Sequence, residues 1–600
     1  MQLSDFAEAP NLVSLFLRRA DALGSKPFLW TKPEGHWVAI SWQEAARRVC
    51  ILAEHLRAIG LKQGDRVAIV SENRPEWCIA DLAIMAAGCV TVPAYTTNTA
   101  RDHLHVLQNS GARAAIVSNP KLASALLPAV VKSDCCEHII TMESLRAGQG
   151  GFQVHDWSPL LEGDASAARS AVDARIAGIT RADLACIIYT SGTGGAPRGV
   201  RQHHGMILTN IAGTVTVIAE DFGWDEDEAF LSFLPLSHAY EHTAGQYVPI
   251  GLGGQIYYAE SLEKLAANIE ETRPTIMVVV PRLFEVLRTR IVKQAQKQGG
   301  AASWLMGRAV GLANRRASGR RSATDPALDL ILAPTLRPKI RAKFGGRLKA
   351  LVSGGAPLNP EIGGFFQAIG ITLLQGYGQT EAGPVISCNR PGAGIAMETV
   401  GPPLPGVTVR IADDGEILVR GELVMQGYWE NPAASEAVLQ QGWLHTGDIG
   451  EFDAKGRIRI TDRKKDMIVN DKGDNVSPQK VESMLTLQPE IGQAMVAGDR
   501  RPYIVGLIVP DSEWADAWAQ ARGMPGGLEG LQDDPAFHAA IRAAVDRVNA
   551  ELSVIEKVRR FALADEPFAI ENEEMTPSLK IRRHKIKERY GDRLAALYGG

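Results

Sequence analysis

The sequence predicts an α/β fold: a large N-terminal domain of packed αβ subdomains, followed by a smaller α+β domain. Three observations carry this. At 600 residues the chain is too long for one hydrophobic core. Short apolar, β-branched runs alternate with helical stretches, the pattern of mostly parallel sheets covered by helices. At Asp462-Arg463-Lys464-Lys465-Asp466 the patterning shifts, and strand, helix and strand signals then start again. The two domains are therefore placed at 1–462 and 463–600.

In order, Arg66–Val70 is predicted as a buried strand, Pro75–Ala87 as a helix with proline in its first turn, Cys89–Pro93 as a second strand and Ala114–Val117 as a third. The uncharged stretch Leu82–Ala100 is broken by Gly88, Pro93 and the polar run at 95–99, so it reads as helix, buried strand and loop rather than a membrane span. Gly148–Ala182 lacks apolar periodicity and is expected to be a connection. Leu184–Ile188 is a strand. Gln298–Asp325 is expected to be irregular. It carries Arg315, Arg316, Arg320 and Arg321, followed by Arg337, Lys339, Arg341, Lys343, Arg347 and Lys349. These basic residues suit either a solvated helical surface, which is favoured, or a face for an anionic bilayer or coenzyme phosphates. In the terminal domain Met467–Val469 and Ile504–Val509 read as strands, Pro478–Leu487 as a helix, and Pro535–Val558 as a helical, structural segment.

A hydrophobic fraction of 45% with 22% charged residues allows large cores. The net charge of −4, from 64 basic and 68 acidic residues, gives no reason to expect a nucleic-acid partner. The seven cysteines are scattered, with no Cys-x-x-Cys pair, which argues against a disulfide framework or zinc site and for a reducing cytoplasm. Asp5, Glu8 and the short apolar run Leu12–Leu17 do not resemble a secretory signal.

Chemistry enters at Tyr189-Thr190-Ser191-Gly192-Thr193-Gly194-Gly195-Ala196-Pro197-Arg198-Gly199-Val200. Glycines let backbone N–H groups approach an anion, hydroxyls add donors and Arg198 adds charge, so this loop suits phosphate. It lacks the lysine of a P-loop, and Pro197 occupies the last glycine position of the dinucleotide fingerprint. Alone, the loop is equally well read as a surface turn.

Six further blocks decide. Leu234-Pro235-Leu236-Ser237-His238, Ser353-Gly354-Gly355-Ala356-Pro357-Leu358 and Gly376-Tyr377-Gly378-Gln379-Thr380-Glu381 come first. Gly442-Trp443-Leu444-His445-Thr446-Gly447-Asp448, Asp462–Asp466 and Thr576-Pro577-Ser578-Leu579-Lys580 follow. In this order the blocks resemble the adenylate-forming superfamily of acyl-CoA synthetases, adenylation domains and luciferases, over nearly the whole chain.

The resemblance implies ATP, Mg²⁺ and coenzyme A as the small molecules handled. It implies that Thr190 and Glu381 face metal and phosphates, with Ser191, Gly192, Thr193 and Arg198 on the phosphate loop. Gly354, Gly355, Ala356 and Pro357 would form the adenine-side loop, with Gly376, Tyr377, Gly378 and Thr380 beside it. Asp448 would accept from the ribose hydroxyls and Arg463 would support it. His238 would lie near the acyl carboxylate and pyrophosphate, and Lys580 would reach the carboxylate and α-phosphate. The small domain would be mobile, rotating about 462–465 to exchange Lys580 for the region of Lys472 and Gly473.

Two residues depart from the family pattern: Gly194 stands where a threonine is usual and Arg198 where a lysine is usual, which predicts retained activity with altered ATP affinity. Ser71-Glu72-Asn73-Arg74-Pro75-Glu76-Trp77, the block Pro274–Glu285 and Asp462–Asp466 look most like long-chain fatty acyl-CoA synthetases. Tyr240, Tyr247, Tyr257, Val278 and Val279 are wall candidates for an acyl tunnel, and equally good core residues. The implied activity is conversion of a carboxylic acid, foremost a long-chain fatty acid, to acyl-AMP and then acyl-CoA. The alternatives are an acyl-AMP ligase loading a carrier protein and a weakly active lipid-binding member. Oligomeric state and peripheral membrane contact at the inner face stay open.

Overall fold

The computed structural model describes residues 6, 8–145, 151–190, 196–225, 227–317, 322–576 and 581–599. Among the described residues two large sheets dominate. One runs in the strand order Gln153–Asp156, His138–Thr141, Ala112–Val117, Arg66–Val70, Val90–Ala94, Leu184–Thr190 and Arg198–His203. Its first six strands are parallel, and the last is the antiparallel partner of Leu184–Thr190. The other has a parallel centre, Leu373–Gly378, Ala350–Ser353, Ile276–Val279, Ala229–Ser232 and Gln255–Tyr258. The strand Pro27–Thr31 adds in parallel to Gln255–Tyr258, and antiparallel strands close both edges. Buried parallel strands need helices on their faces, and the near-continuous apolar runs follow from burial on both sides.

The expected strand at 66–70, the helix Pro75–Ala86 and the strand Val90–Ala94 form as read. Two expectations are corrected. The stretch 148–182 is not merely a connection: it contains the strand Gln153–Asp156 and the helix Ala165–Ile176. That helix is capped by the Asp164 carboxylate, which accepts from Ser166 and Ala167 N–H at 2.9 and 3.0 Å, and it buries only one residue per turn, Ala168, Val172 and Ile176. So narrow a stripe escapes a periodicity reading. The stretch 298–325 is not irregular either, since Gly300–Ala317 is helical and buries Met306, Ala309, Leu312 and Ala313. Several of the basic residues between 315 and 349 are structural: Arg315 pairs with Asp325 at 2.7 Å, Arg341 donates to Gly370 O at 3.0 Å, and Lys349 is paired with Asp225 at 2.8 Å.

A sheet including Thr408–Ile411, Glu416–Arg420, Trp443–Phe452 and Ile458–Arg463 follows. After it, Val481, Ile508, Phe537 and Val545 belong to a separate core, built by the helices Pro478–Leu485 and Pro535–Asn549 on the strands Ile491–Ala497, Ile504–Pro510 and Val558–Leu563. No helix among the described residues is long and apolar enough to cross a membrane.

Candidate active site

Loops at the carboxyl ends of parallel strands converge on one cavity of about 2320 Å³, the position where open α/β sheets bind ligands. Thr190 ends its strand at the rim, and Arg198 opens the returning one. His238 follows Ala229–Ser232, Gly354–Pro357 follow Ala350–Ser353, and Gly376, Tyr377 and Gly378 end their own strand just before Thr380 and Glu381. Asp448 and Arg463 enter from the neighbouring antiparallel sheet.

Glycine at 354 is a steric requirement, because a Cβ there would lie 2.6 Å from the Tyr240 ring. Gly355 adopts φ +81°, and a Cβ at that position would meet no atom within 4 Å, so the loop turns sharply beside open space.

One polar end of the cavity is organised around Asp448, which is 5% exposed. Its Oδ2 accepts from the Tyr377 hydroxyl at 2.6 Å, and its Oδ1 from Arg463 Nε at 3.0 Å. Asp448 and Arg463 are direct cross-strand neighbours, so the ladder register itself makes the ion pair. Burial, reinforced by the Asp448 charge, drives the Tyr377 hydroxyl well above its ordinary range. The preceding Thr446 accepts the Asp448 N–H at 3.1 Å and donates to Ile417 O at 2.7 Å. Glu416 takes Gly447 N–H at 2.8 Å, the His445 ring at 3.1 Å and Lys464 Nζ at 3.1 Å. Its burial raises the carboxyl, but these donors outweigh that and hold it below its ordinary value.

Elsewhere on the cavity wall, Glu381 Oε1 accepts from the Tyr428 hydroxyl at 2.8 Å, and the Arg198 guanidinium lies 5.0 Å from the Tyr428 ring centre. Tyr428 thus joins the Arg198 cation to the Glu381 carboxylate. Burial pushes its phenol up, so it stays a donor. Gln202 donates to Thr380 O at 2.8 Å and fixes the turn that carries Glu381.

His238 Nδ1 accepts the Tyr240 N–H at 3.2 Å. A neutral ring so held carries its proton on Nε2.

From His238 an apolar corridor leaves the polar end. Ile276 with Val278, Ala350 with Val352 and Leu374 with Gly376 all line it, as alternate residues of a strand must when they share one face. Thr214, Val217, Ile218 and Phe222 of the helix His204–Phe222 also line the cavity and follow helical spacing. The corridor runs back along the strands toward their amino ends. Of the five wall candidates, Tyr240 and Val278 line the cavity. Tyr247 instead bonds Asp81 at 2.7 Å, Tyr257 stacks on Trp30 at 5.0 Å, and Val279, one residue out of phase, packs in the core behind the sheet.

Ser191, Gly192, Thr193, Gly194 and Lys580 lie outside the described residues. The flanks of Lys580 do reach the cavity, through Thr576 and Ile581. Lys472 and Gly473 do not line it; they sit in a turn closed by Asn470, whose Oδ1 accepts Lys472 N–H at 2.9 Å and Asp474 N–H at 2.8 Å. Sequence reasoning missed Tyr428 and Glu416, which carry no motif signal of their own. It also missed the corridor helix, whose spacing 214, 217, 218, 222 was legible.

Comparison with known proteins agrees with this geometry. Residues 16–429 match the family model for AMP-binding enzymes, and residues 465–600 match that for the AMP-binding enzyme C-terminal domain. The chain is 33% identical to the long-chain-fatty-acid–CoA ligase FadD15 of Mycobacterium tuberculosis over 584 residues, covering 94% of this chain and 93% of the relative. It is 30% identical to long-chain-fatty-acid–CoA ligase 6 of Mus musculus over 621 residues, covering 99% and 87%. Among solved structures, the A domain of carboxylic acid reductase from Segniliparus rugosus, in complex with AMP and a co-purified carboxylic acid, superposes with a TM-score of 0.74 at 21% identity, covering 99% of this chain and 95% of that one. With the motif blocks gathered on one cavity and family models spanning both parts of the sequence, the chain belongs to the AMP-binding enzyme family.

Proposed function

We propose that the protein is an AMP-forming acyl-CoA ligase for long-chain fatty acids. One observation carries the reading: a single cavity joins a polar end, at Asp448, Tyr377 and Glu381, to an apolar corridor beginning at His238. A carboxylate placed at that junction has its alkyl tail in hydrocarbon surroundings and its oxygen facing the phosphates. Relatives named as long-chain-fatty-acid–CoA ligases over nearly the full chain support the same substrate class.

In the first half-reaction a carboxylate oxygen forms a bond to the α-phosphorus of ATP as the bond to pyrophosphate breaks. In the second, the coenzyme A thiolate attacks the acyl carbon and AMP leaves. Asp448 accepts from the ribose hydroxyls, Arg463 and Tyr377 hold that carboxylate in place, and the 354–357 loop leaves room for the base. Thr190 and Glu381 offer hard hydroxyl and carboxylate oxygens that fit Mg²⁺, which when bound neutralises developing phosphate charge. Arg198 adds a fixed cation. His238 presents Nε2–H to the carboxylate or the departing pyrophosphate, and Lys580 supplies a second cation to the same oxygens.

The small domain, taken as 463–600, turns between the half-reactions. Thr576 and Ile581 line the cavity while Lys472 and Gly473 stand away from it, which supports the adenylate-forming orientation here. A cytoplasmic setting fits the seven unpaired cysteines.

The test is pyrophosphate release with ATP, Mg²⁺ and a panel of fatty and aromatic acids, with and without coenzyme A. Sustained release with long-chain acids that requires coenzyme A is expected. A single-turnover burst indifferent to coenzyme A would point to carrier loading, and no release with any acid would sink the reading.

A further inference from the structure

The segment Ser71–Trp77 has no part in the cavity, yet its side chains are committed in two directions. Glu72 accepts from Asn119 Nδ2 at 3.1 Å, and Arg74 bonds Glu76 at 2.8 Å and Glu143 at 3.2 Å; these contacts stay around the first large sheet. Asn73 reaches across to the second. Its Nδ2 donates to Ser232 Oγ at 2.9 Å and to Leu234 O at 2.6 Å, while its Oδ1 accepts Leu236 N–H at 3.1 Å. One amide therefore grips three successive even-numbered residues of the segment that delivers His238.

The grip continues beyond that loop. Ser232 Oγ, which accepts from Asn73, donates to Glu241 Oε1 at 2.6 Å. Glu241 opens a fully buried π-helical turn, Glu241–Tyr247, an uncommon geometry often found beside functional sites. On its far side, Asp81 Oδ2 accepts from His242 Nε2 at 3.0 Å, Gln246 Nε2 at 2.8 Å and the Tyr247 hydroxyl at 2.7 Å. Between these anchors stand His238, whose N–H bonds Pro235 O at 2.9 Å, and Tyr240, whose N–H fixes the His238 ring.

We propose that Asn73 is a positioning residue for carboxylate activation, setting the place of His238 through its three hydrogen bonds to Ser232, Leu234 and Leu236. The inference rests on the reading of His238 as a group at the reacting carboxylate. Nothing in it requires Asn73 to touch a substrate. A side chain held from a different sheet fixes the loop against rotation as well as height, and small misplacements of a reacting group are costly.

The experiment is acid-dependent ATP–pyrophosphate exchange, which reads the first half-reaction without coenzyme A, on the full chain and on Asn73→Ala, His238→Ala and the double variant. If Asn73 acts through His238, each single loses about 30- to 100-fold in kcat/KM for the acid, and the double falls no more than about threefold below the weaker single. Losses that multiply, or an Asn73→Ala enzyme with full activity, would overturn the proposal. Should Asn73→Ala fail to fold by circular dichroism, Asn73→Asp takes its place in the cycle; it keeps the acceptor for Leu236 and removes both donors. A wild-type protein with no exchange would instead sink the adenylation reading itself.

Discussion

The Tyr377 hydroxyl lies 2.6 Å from Asp448 Oδ2, joining residues 71 positions apart, and the opposite oxygen of that carboxylate is held by Arg463. The pair fixes the acid that, in the proposed function, receives the ribose. Tyr377→Phe removes one charge-assisted bond, worth about 1.5–3 kcal/mol when buried. ATP KM is therefore expected to rise about tenfold or more with kcat little changed. Steady-state kinetics at saturating acid check this. A fall in kcat at constant ATP KM would place Tyr377 in the chemistry instead.

Arg198 lies over the Tyr428 ring, and Tyr428 in turn holds Glu381. Arg198→Lys keeps the charge but gives up the planar guanidinium, whose stacking contributes about 0.5–1 kcal/mol at a partly exposed site. ATP KM is expected to rise about two- to fivefold in the single variant, following that energy. Adding Gly194→Thr supplies a hydroxyl donor and should shift KM again. Unchanged values in both enzymes would show that this departure from the family pattern is silent.

Ile218 and Val217 line the same cavity as the alternate strand residues Ile276, Val278 and Ala350. Ile218→Trp should therefore cut kcat/KM for long-chain acids by about tenfold or more, the usual cost of overfilling a packed site, while short acids are spared. A panel graded by chain length reads the outcome; a uniform loss across lengths would argue that the corridor does not hold the tail.

Burial pushes the Glu241 carboxyl from its ordinary 4.5 up to about 8, against hydrogen bonds from Ser232 and Phe233 N–H. Because the folded value is raised, the folded protein binds the extra proton between these two pH values. Glu241 then contributes stability that is fully present below about 4.5 and is progressively lost as pH rises to about 8. Glu241→Gln keeps the shape and has no proton to lose. Its urea midpoint, relative to wild type, should improve steadily between pH 5 and 8. Parallel pH profiles for the two proteins would contradict this.

Much of the site was legible because its parts are local. Asp448 and Arg463 each sit in a compact block, and their adjacency needs only a two-stranded ladder. The strands at 66–70 and 504–510 announced themselves by unbroken apolar runs, since burial on both faces leaves no polar position to dilute the signal. What stayed hidden depends on long-range approach. Tyr428 matters because a loop brings it to Glu381, 47 residues away, and Glu416 because three donors from the next strand and loop meet it. Val279, read equally as wall or core, lies in the core while Val278 lines the cavity, for one residue in a strand is the difference between facing a ligand and facing the core. The helix at 300–317 was lost among glycines and alanines whose burial only the neighbouring helices reveal.

The corridor lies along the strands rather than across them. In the proposed function nucleotide chemistry would occupy their carboxyl ends, at Gly354 and Gly376, while Ala350, Ile276 and Phe230 bound the cavity near the amino ends. Head and tail of one substrate would then be measured by opposite ends of a shared scaffold. Substitutions at the far end can retune which acids are accepted and leave the reactive end untouched, so a lineage of such proteins can diversify in diet without relearning its chemistry.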